Sequence, residues 1–188
     1  MTHFNVTGRV ASSKLQMQFA GGLPGSSGPE PGSKNFDPLK LAEKSPEWVL
    51  FFREAEIKHG RIAMLATAGW IFADFVKLPG DVHQVSSLEA HAAAVSSGAL
   101  VQILLWTSLF EAVSVPAVAG LGKTDRQPGD FSFDPLGFSK NKASLEKYQV
   151  NELKNGRLAM LAFSGIVTQA ALSGKGFPCK YSSTFYLT

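Results

Sequence analysis

A charged motif occurs twice inside stretches that are otherwise apolar enough for a membrane. The first copy runs Glu56-Ile57-Lys58-His59-Gly60-Arg61-Ile62-Ala63-Met64-Leu65-Ala66, and the second Glu152-Leu153-Lys154-Asn155-Gly156-Arg157-Leu158-Ala159-Met160-Leu161-Ala162. Over 56–69 against 152–165, nine of fourteen positions are identical and two more exchange Ile for Leu. A carboxylate or guanidinium within an apolar helix is costly unless it pairs, so each marks a functional site by default. Its repetition implies one symmetric solution used twice.

The repeat extends beyond the motif. Phe36-Asp37-Pro38-Leu39 recurs as Phe133-Asp134-Pro135-Leu136, and each copy precedes its motif glutamate by nearly the same distance, 20 and 19 residues. Ser45 as N-cap and Pro46 at the first helical position predict a helix over 46–76, stopped by Lys77-Leu78-Pro79-Gly80. Two further apolar runs predict helices over 98–120, which contains Gln102, Glu111 and Pro116, and over 143–172. All three are long enough to cross a bilayer. Cationic residues gather before the first helix and between the second and third, whereas Lys77 stands alone between the first and second. That distribution puts the N-terminus on the positive side and makes helices one and three cross in the same direction. Related helices running the same way are related by an axis along the membrane normal. The expected fold is therefore an all-α membrane protein with three transmembrane helices, the first and third crossed around a pseudo-two-fold axis.

Composition narrows the function. Of 188 residues, 45% are hydrophobic and 18% charged, which is too apolar for a disordered chain. The net charge of +3 is dispersed rather than gathered on a stripe, which argues against nucleic acid. Cys179 is the single cysteine, so neither an intramolecular disulfide nor a thiolate zinc cluster has a ligand set. No nucleophile–base constellation or phosphate-cradling loop points to an enzyme. Residues 1–35 are expected to form a flexible arm; its first 29 residues lack Asp and Glu and resemble a transit remnant as much as a plain tail.

Glu56 and Arg61 stand five residues apart, about 140° around a helix, so they do not readily satisfy each other. Across a two-fold axis, Glu56 meets Arg157 and Glu152 meets Arg61, and each carboxylate keeps a second oxygen for another ligand. Gly60, Gly156, Ala63 and Ala159 are small enough to let the two backbones approach. Two helices tied by salt bridges alone would account for that much. It leaves His59 and Asn155, equivalent positions three residues after their Glu, and Gln169, nearly four turns beyond Asn155. Each offers a nitrogen or oxygen lone pair, and their spread along helices does not suit a tetrahedral metal set. Single donors a turn or more apart suit separate metals that each take one axial ligand, as the Mg of chlorophyll does. Taken singly, each such residue also fits a helix–helix hydrogen bond.

The paired E-x-x-H/N-G-R helices, each preceded by an FDPL loop, resemble the chlorophyll-binding light-harvesting antenna superfamily of plastids, over about Phe36 to Gln169. The resemblance implies chlorophylls ligated by Glu56, His59, Glu152, Asn155 and Gln169, with Gln102 and Glu111 as further ligands in the middle helix. In the green-plant version an Arg follows that last Glu by three residues; Ser114 stands there instead, which leaves Glu111 without its usual counter-charge. It also implies that Asp37, Pro38, Leu39, Asp134, Pro135 and Leu136 hold the end groups of two carotenoids. Read alone, FDPL is a turn with Asp as a local cap. The short tail after Gln169 and the compact middle loop resemble red-lineage, fucoxanthin–chlorophyll a/c antennas. The implied cofactors are chlorophyll a, chlorophyll c or another accessory chlorophyll, xanthophylls such as fucoxanthin or diadinoxanthin, and lipids. The implied setting is the thylakoid membrane, multi-pass with a stromal N-terminus, beside neighbouring antenna subunits and a core of photosystem I or II. His83 and His91 are further possible ligands; Trp48, Trp70 and Trp106 read as interfacial or packing residues. A photoprotective pigment carrier, and more remotely a small transporter using its intramembrane carboxylates, are the competing functions.

Overall fold

The computed structural model describes residues 23–25, 36–80, 83–135, 137 and 141–177; no strand occurs among these. Chain order places α1 at Leu41–Lys44, α2 at Val49–Phe75, α3 at Ala90–Ser96, α4 at Ala99–Ala119 and α5 at Lys142–Ser173. The N-terminal arm outside 23–25, Leu136, and the tail from 178 with Cys179 lie outside the described residues.

Local chemistry explains where the elements begin. Asp37 caps α1 with both oxygens, Oδ1 accepting the Leu41 N–H and Oδ2 the Ala42 N–H, each at 3.0 Å. The first FDPL copy is thus a capped turn. The helix expected from Pro46 starts α-helical bonding at Val49, because Pro46–Trp48 form a 3-10 turn closed by the Trp48 N–H on the Ser45 carbonyl at 3.1 Å. Ser45 makes no side-chain cap. The two later helices run within a residue of the expected 98–120 and 143–172. The short α3 was not expected and carries His91.

At 1.5 Å per residue, α2, α4 and α5 measure about 40, 31 and 48 Å, each at least the thickness of a hydrocarbon core. Among the described residues only α4 is both long and apolar enough to qualify as a span on composition alone. α2 and α5 carry the charged motifs, which count against them unless the charges are paired.

The centre of the fold is the contact of α2 with α5. A Cβ placed on Gly60 or Gly156 would lie 3.0 Å from the other glycine's Cα, so the backbones touch there and any side chain would part them. Ala63, Leu153 and Ala159 are buried near this contact, and Ala170 is buried toward the end of α5. Farther along, Trp70 meets Phe163 edge to face at 6.1 Å. Repeat-equivalent apolar residues point outward to matching degrees: Ile62 is 63% and Leu158 66% exposed, Leu65 76% and Leu161 73%. α4 buries none of its residues. A water-soluble protein of this size does not leave so much contiguous apolar surface uncovered.

Candidate functional site

Four carboxylates on α2, α4 and α5 are each met by a cation from another part of the chain. Arg61 Nε donates to Glu152 Oε1 at 2.6 Å, and Arg157 Nε to Glu56 Oε1 at 2.7 Å. These two pairs are reciprocal, α2 to α5 and α5 to α2, and they flank the glycine contact. Arg53 adds a looser approach to Glu56, Nη1 lying 3.6 Å from Oε2. Glu152 Oε2 accepts no hydrogen bond from the described residues.

Glu111 is also paired, contrary to the expectation that Ser114 leaves it without a counter-charge. Lys58 Nζ on α2 reaches across to Glu111 Oε2 at 2.6 Å and to Ser114 Oγ at 2.9 Å. The cation that a sequence search seeks on the same helix comes from the neighbouring one.

The fourth pair escaped sequence reasoning. Glu54 is 1% exposed. Its Oε1 accepts from Arg126 Nη2 at 2.9 Å and its Oε2 from the Gly129 N–H at 2.6 Å. Arg126 also donates from Nε to the Asp130 carbonyl at 2.6 Å and from Nη1 to the Ala117 carbonyl at 3.3 Å, and lies over Phe131 at 4.5 Å. Gly129 takes φ +82°, and a Cβ there would fall 2.8 Å from Ile57 Cδ1, so only glycine brings its amide onto Glu54. This clamp fastens the α4–α5 connection, with the second FDPL copy, onto the start of α2. The signal lay in the repeat itself: the position equivalent to Glu54 is Val150, so a charge stands where its counterpart is apolar. At the other end of α2, Asp74 accepts from the Ser87 N–H at 2.8 Å, the Ser87 hydroxyl at 2.5 Å and the Phe177 N–H at 2.6 Å. It ties the α2–α3 loop and the segment after α5 to one carboxylate.

The neutral candidates lie on outer faces. His59 is exposed, and its Nδ1 stands 2.7 Å from the Ala55 carbonyl. A carbonyl only accepts, so Nδ1 carries the proton and the Nε2 lone pair is left for a ligand. Asn155, Gln102 and Gln169 are exposed side chains on α5, α4 and α5. The structure does not bring these donors into one cluster, and no group of three metal-binding side chains forms among the described residues. His83 and His91 are both exposed, His83 in the α2–α3 loop. Of the two FDPL loops, Asp37 is engaged in capping, while Phe133 and Asp134 line a groove of about 1190 Å³ together with Arg61, Glu152, Tyr148 and Phe131. Pro38, Leu39 and Pro135 are exposed.

The centre of the fold is thus two helices that meet at glycines, are braced by reciprocal ion pairs and carry isolated nitrogen and oxygen donors on exposed faces. The family model described as Chlorophyll A-B binding protein matches residues 19–171, and the chain belongs to that family. It is 32% identical over 170 residues to a fucoxanthin-chlorophyll a-c binding protein of Chattonella marina var. antiqua, covering 88% of this chain and 78% of that one. A chlorophyll a-b binding protein 1B-21 of Hordeum vulgare is 36% identical over 165 residues, with 79% and 64% covered. A light-harvesting complex stress-related protein 1 of Chlamydomonas reinhardtii is 34% identical over 170 residues, with 81% and 66% covered.

Proposed function

We propose that the protein is a plastid thylakoid antenna that binds chlorophylls and carotenoids on three membrane-spanning helices and passes excitation to a photosystem core. The observation that carries this reading is the pair of reciprocal bridges, Arg61–Glu152 and Arg157–Glu56, across the Gly60–Gly156 contact. Pairing removes the net charge that would otherwise keep α2 and α5 out of a bilayer. The matched exposure of Ile62 with Leu158 and of Leu65 with Leu161 supports a pseudo-two-fold arrangement of the two helices about the membrane normal.

Bound chlorophyll supplies the light absorption; the residues of this chain fix where and how each pigment sits. The donors fit a Mg that takes one axial ligand. Glu152 keeps Oε2, Glu56 keeps an oxygen approached only loosely by Arg53, and His59 turns Nε2 outward. Asn155, Gln169, Gln102 and Glu111 offer oxygens from exposed positions. The groove shared by Glu152, Phe133 and Asp134 suits an elongated apolar ligand with a polar end, which supports a carotenoid end group at Asp134, Pro135 and Leu136; the repeat of FDPL extends the reading to Asp37, Pro38 and Leu39. The reading includes a stromal N-terminus and association with neighbouring antenna subunits. Chlorophyll c and a xanthophyll such as fucoxanthin or diadinoxanthin follow from similarity to the Chattonella protein.

Similarity to a stress-related relative at 34% identity supports a second reading, a carrier that dissipates excitation. Absorption and pigment chromatography on protein purified in mild detergent test the first. Chlorophyll a with chlorophyll c and a keto-carotenoid is the expected result, with chlorophyll fluorescence lifetimes of nanoseconds; chlorophyll b with lutein would refute the branch. A folded, colourless protein would refute pigment binding, and strongly shortened lifetimes at neutral pH would favour dissipation.

A further inference from the structure

Lys58 belongs to the repeated motif, yet it does not act in the α2–α5 crossing. Its ammonium leaves that interface and meets α4, Nζ bonding Glu111 Oε2 at 2.6 Å and Ser114 Oγ at 2.9 Å. Ser114 Oγ in turn lies 3.4 Å from Glu111 Oε2. The Ser114 hydroxyl donates its one proton to the Glu111 backbone carbonyl at 2.9 Å, so Lys58 is the strong donor to Oε2, and Oε1 accepts nothing from the described residues. The same division holds at the crossing, where Arg61 occupies Glu152 Oε1 and leaves Oε2. The equivalent Lys154 on α5 is exposed.

We infer that Lys58 is the positioning residue for a chlorophyll on α4: its ammonium holds the Glu111 carboxylate by Oε2 and fixes its rotamer, leaving Oε1 to serve as a Mg ligand. This rests on the antenna reading and adds to it which residue orients the ligand. A compact ammonium suits the role, because it donates to Glu111 and to Ser114 at once without itself competing for Mg. Ser114 already touches the same carboxylate oxygen, and residues three apart on a helix are neighbours. An arginine at 114 therefore reaches Glu111 from α4 itself and can take over the task.

The test is reconstitution of the full chain with chlorophyll a, chlorophyll c and fucoxanthin, followed by pigment stoichiometry and absorption difference spectra. Glu111→Leu should lose one chlorophyll per chain. Lys58→Met should lose the same one, with the same difference spectrum and the remaining pigments kept; Lys58→Arg and the double variant Lys58→Met/Ser114→Arg should regain it. A Lys58→Met protein with full pigment content would overturn the inference. So would general pigment loss that Ser114→Arg does not restore, which would make Lys58 a brace of the fold. A wild-type chain that takes up no chlorophyll would sink the antenna reading itself, an outcome distinct from both.

Discussion

Replacing Arg126 by methionine isolates the cost of the buried carboxylate on α2. Glu54 is 1% exposed, and its two oxygens are divided between Arg126 and the Gly129 amide. Methionine keeps an unbranched stem and removes the guanidinium, leaving a charge with half its partners in a place without water. Breaking a buried pair from one side costs about 3–5 kcal/mol. The same change deletes the Arg126 bonds to the Asp130 and Ala117 carbonyls. Each contributes about 0.5–1.5 kcal/mol, at the low end where water replaces it. The contact with Phe131 adds about 0.5–1 kcal/mol. The stranded charge therefore dominates a total of about 4.5–7 kcal/mol, and in a chain of this size each kcal/mol moves the midpoint by roughly 2–4 °C. Loss of the pigment circular dichroism on heating should come about 10–25 °C earlier than in wild type at the same heating rate. Glu54→Met/Arg126→Met replaces both partners with apolar groups of similar shape and should recover most of that loss. A single variant within about 2 °C of wild type would mean that Glu54 is not desolvated in the pigmented protein. A double variant as labile as the single would assign the cost to lost packing rather than to charge.

Other expectations test the crossing and its ligands. Arg61→Leu leaves Glu152 unpaired between α2 and α5, and Arg157→Leu leaves Glu56 only the looser approach of Arg53, each at several kcal/mol inside a bilayer; neither should refold with pigments, and full pigment content would refute the cross-brace. His59→Leu should lose about one chlorophyll with the fold retained, because its hydrogen bond is to the Ala55 carbonyl of its own helix; losing none removes His59 from the ligands. Gly156→Ala sets a methyl 3.0 Å from the Gly60 Cα, where backbone has nothing to yield. It should lower stability by about 1–3 kcal/mol, read as an earlier thermal loss of pigment signal. Gly165→Ala, whose added Cβ meets nothing within 4 Å, serves as the control that should not.

The parts of this architecture legible in the sequence are those written twice. The motif copies announce that α2 and α5 are related, the five-residue offset of Glu56 and Arg61 sends each charge to the other helix, and the paired glycines mark where the backbones meet. Helix ends are readable where apolar runs meet stop residues such as Pro79-Gly80, and less so at Pro46, where a 3-10 turn and an α-helix begin with the same residues. Long-range partners carried by a single copy were not readable. Nothing near Glu111 in the chain points to Lys58, 53 residues away, and nothing near Glu54 points to Arg126, 72 residues away. Such pairs depend on which loop folds back over which helix, and one sequence does not encode that in its spacing.

Departures from the repeat supply that missing information once the two helices are superimposed by sequence. With an offset of 96, Glu54 aligns with Val150, Asp74 with Ala170 and Arg53 with Gln149. In α2 these positions reach chain that exists only once: Glu54 the α4–α5 connection, Asp74 the α2–α3 loop and the segment after α5, Arg53 the Pro24 carbonyl at 3.0 Å. In α5 the counterparts Val150 and Ala170 are apolar. Ala170 is fully buried, while Gln149 bonds Gln127 of the adjoining connection at 3.1 Å. The identical arginines, glutamates and glycines thus build the crossing, and unlike positions make α2 the helix to which the single-copy segments are fastened. The two halves are therefore not interchangeable in what they stabilise. Damage to an unlike residue on α2 should release one loop or terminus and the pigments it touches. Damage to the shared residues of the crossing itself, the arginines Arg61 and Arg157 or the glycines Gly60 and Gly156, should part α2 from α5 and release them all.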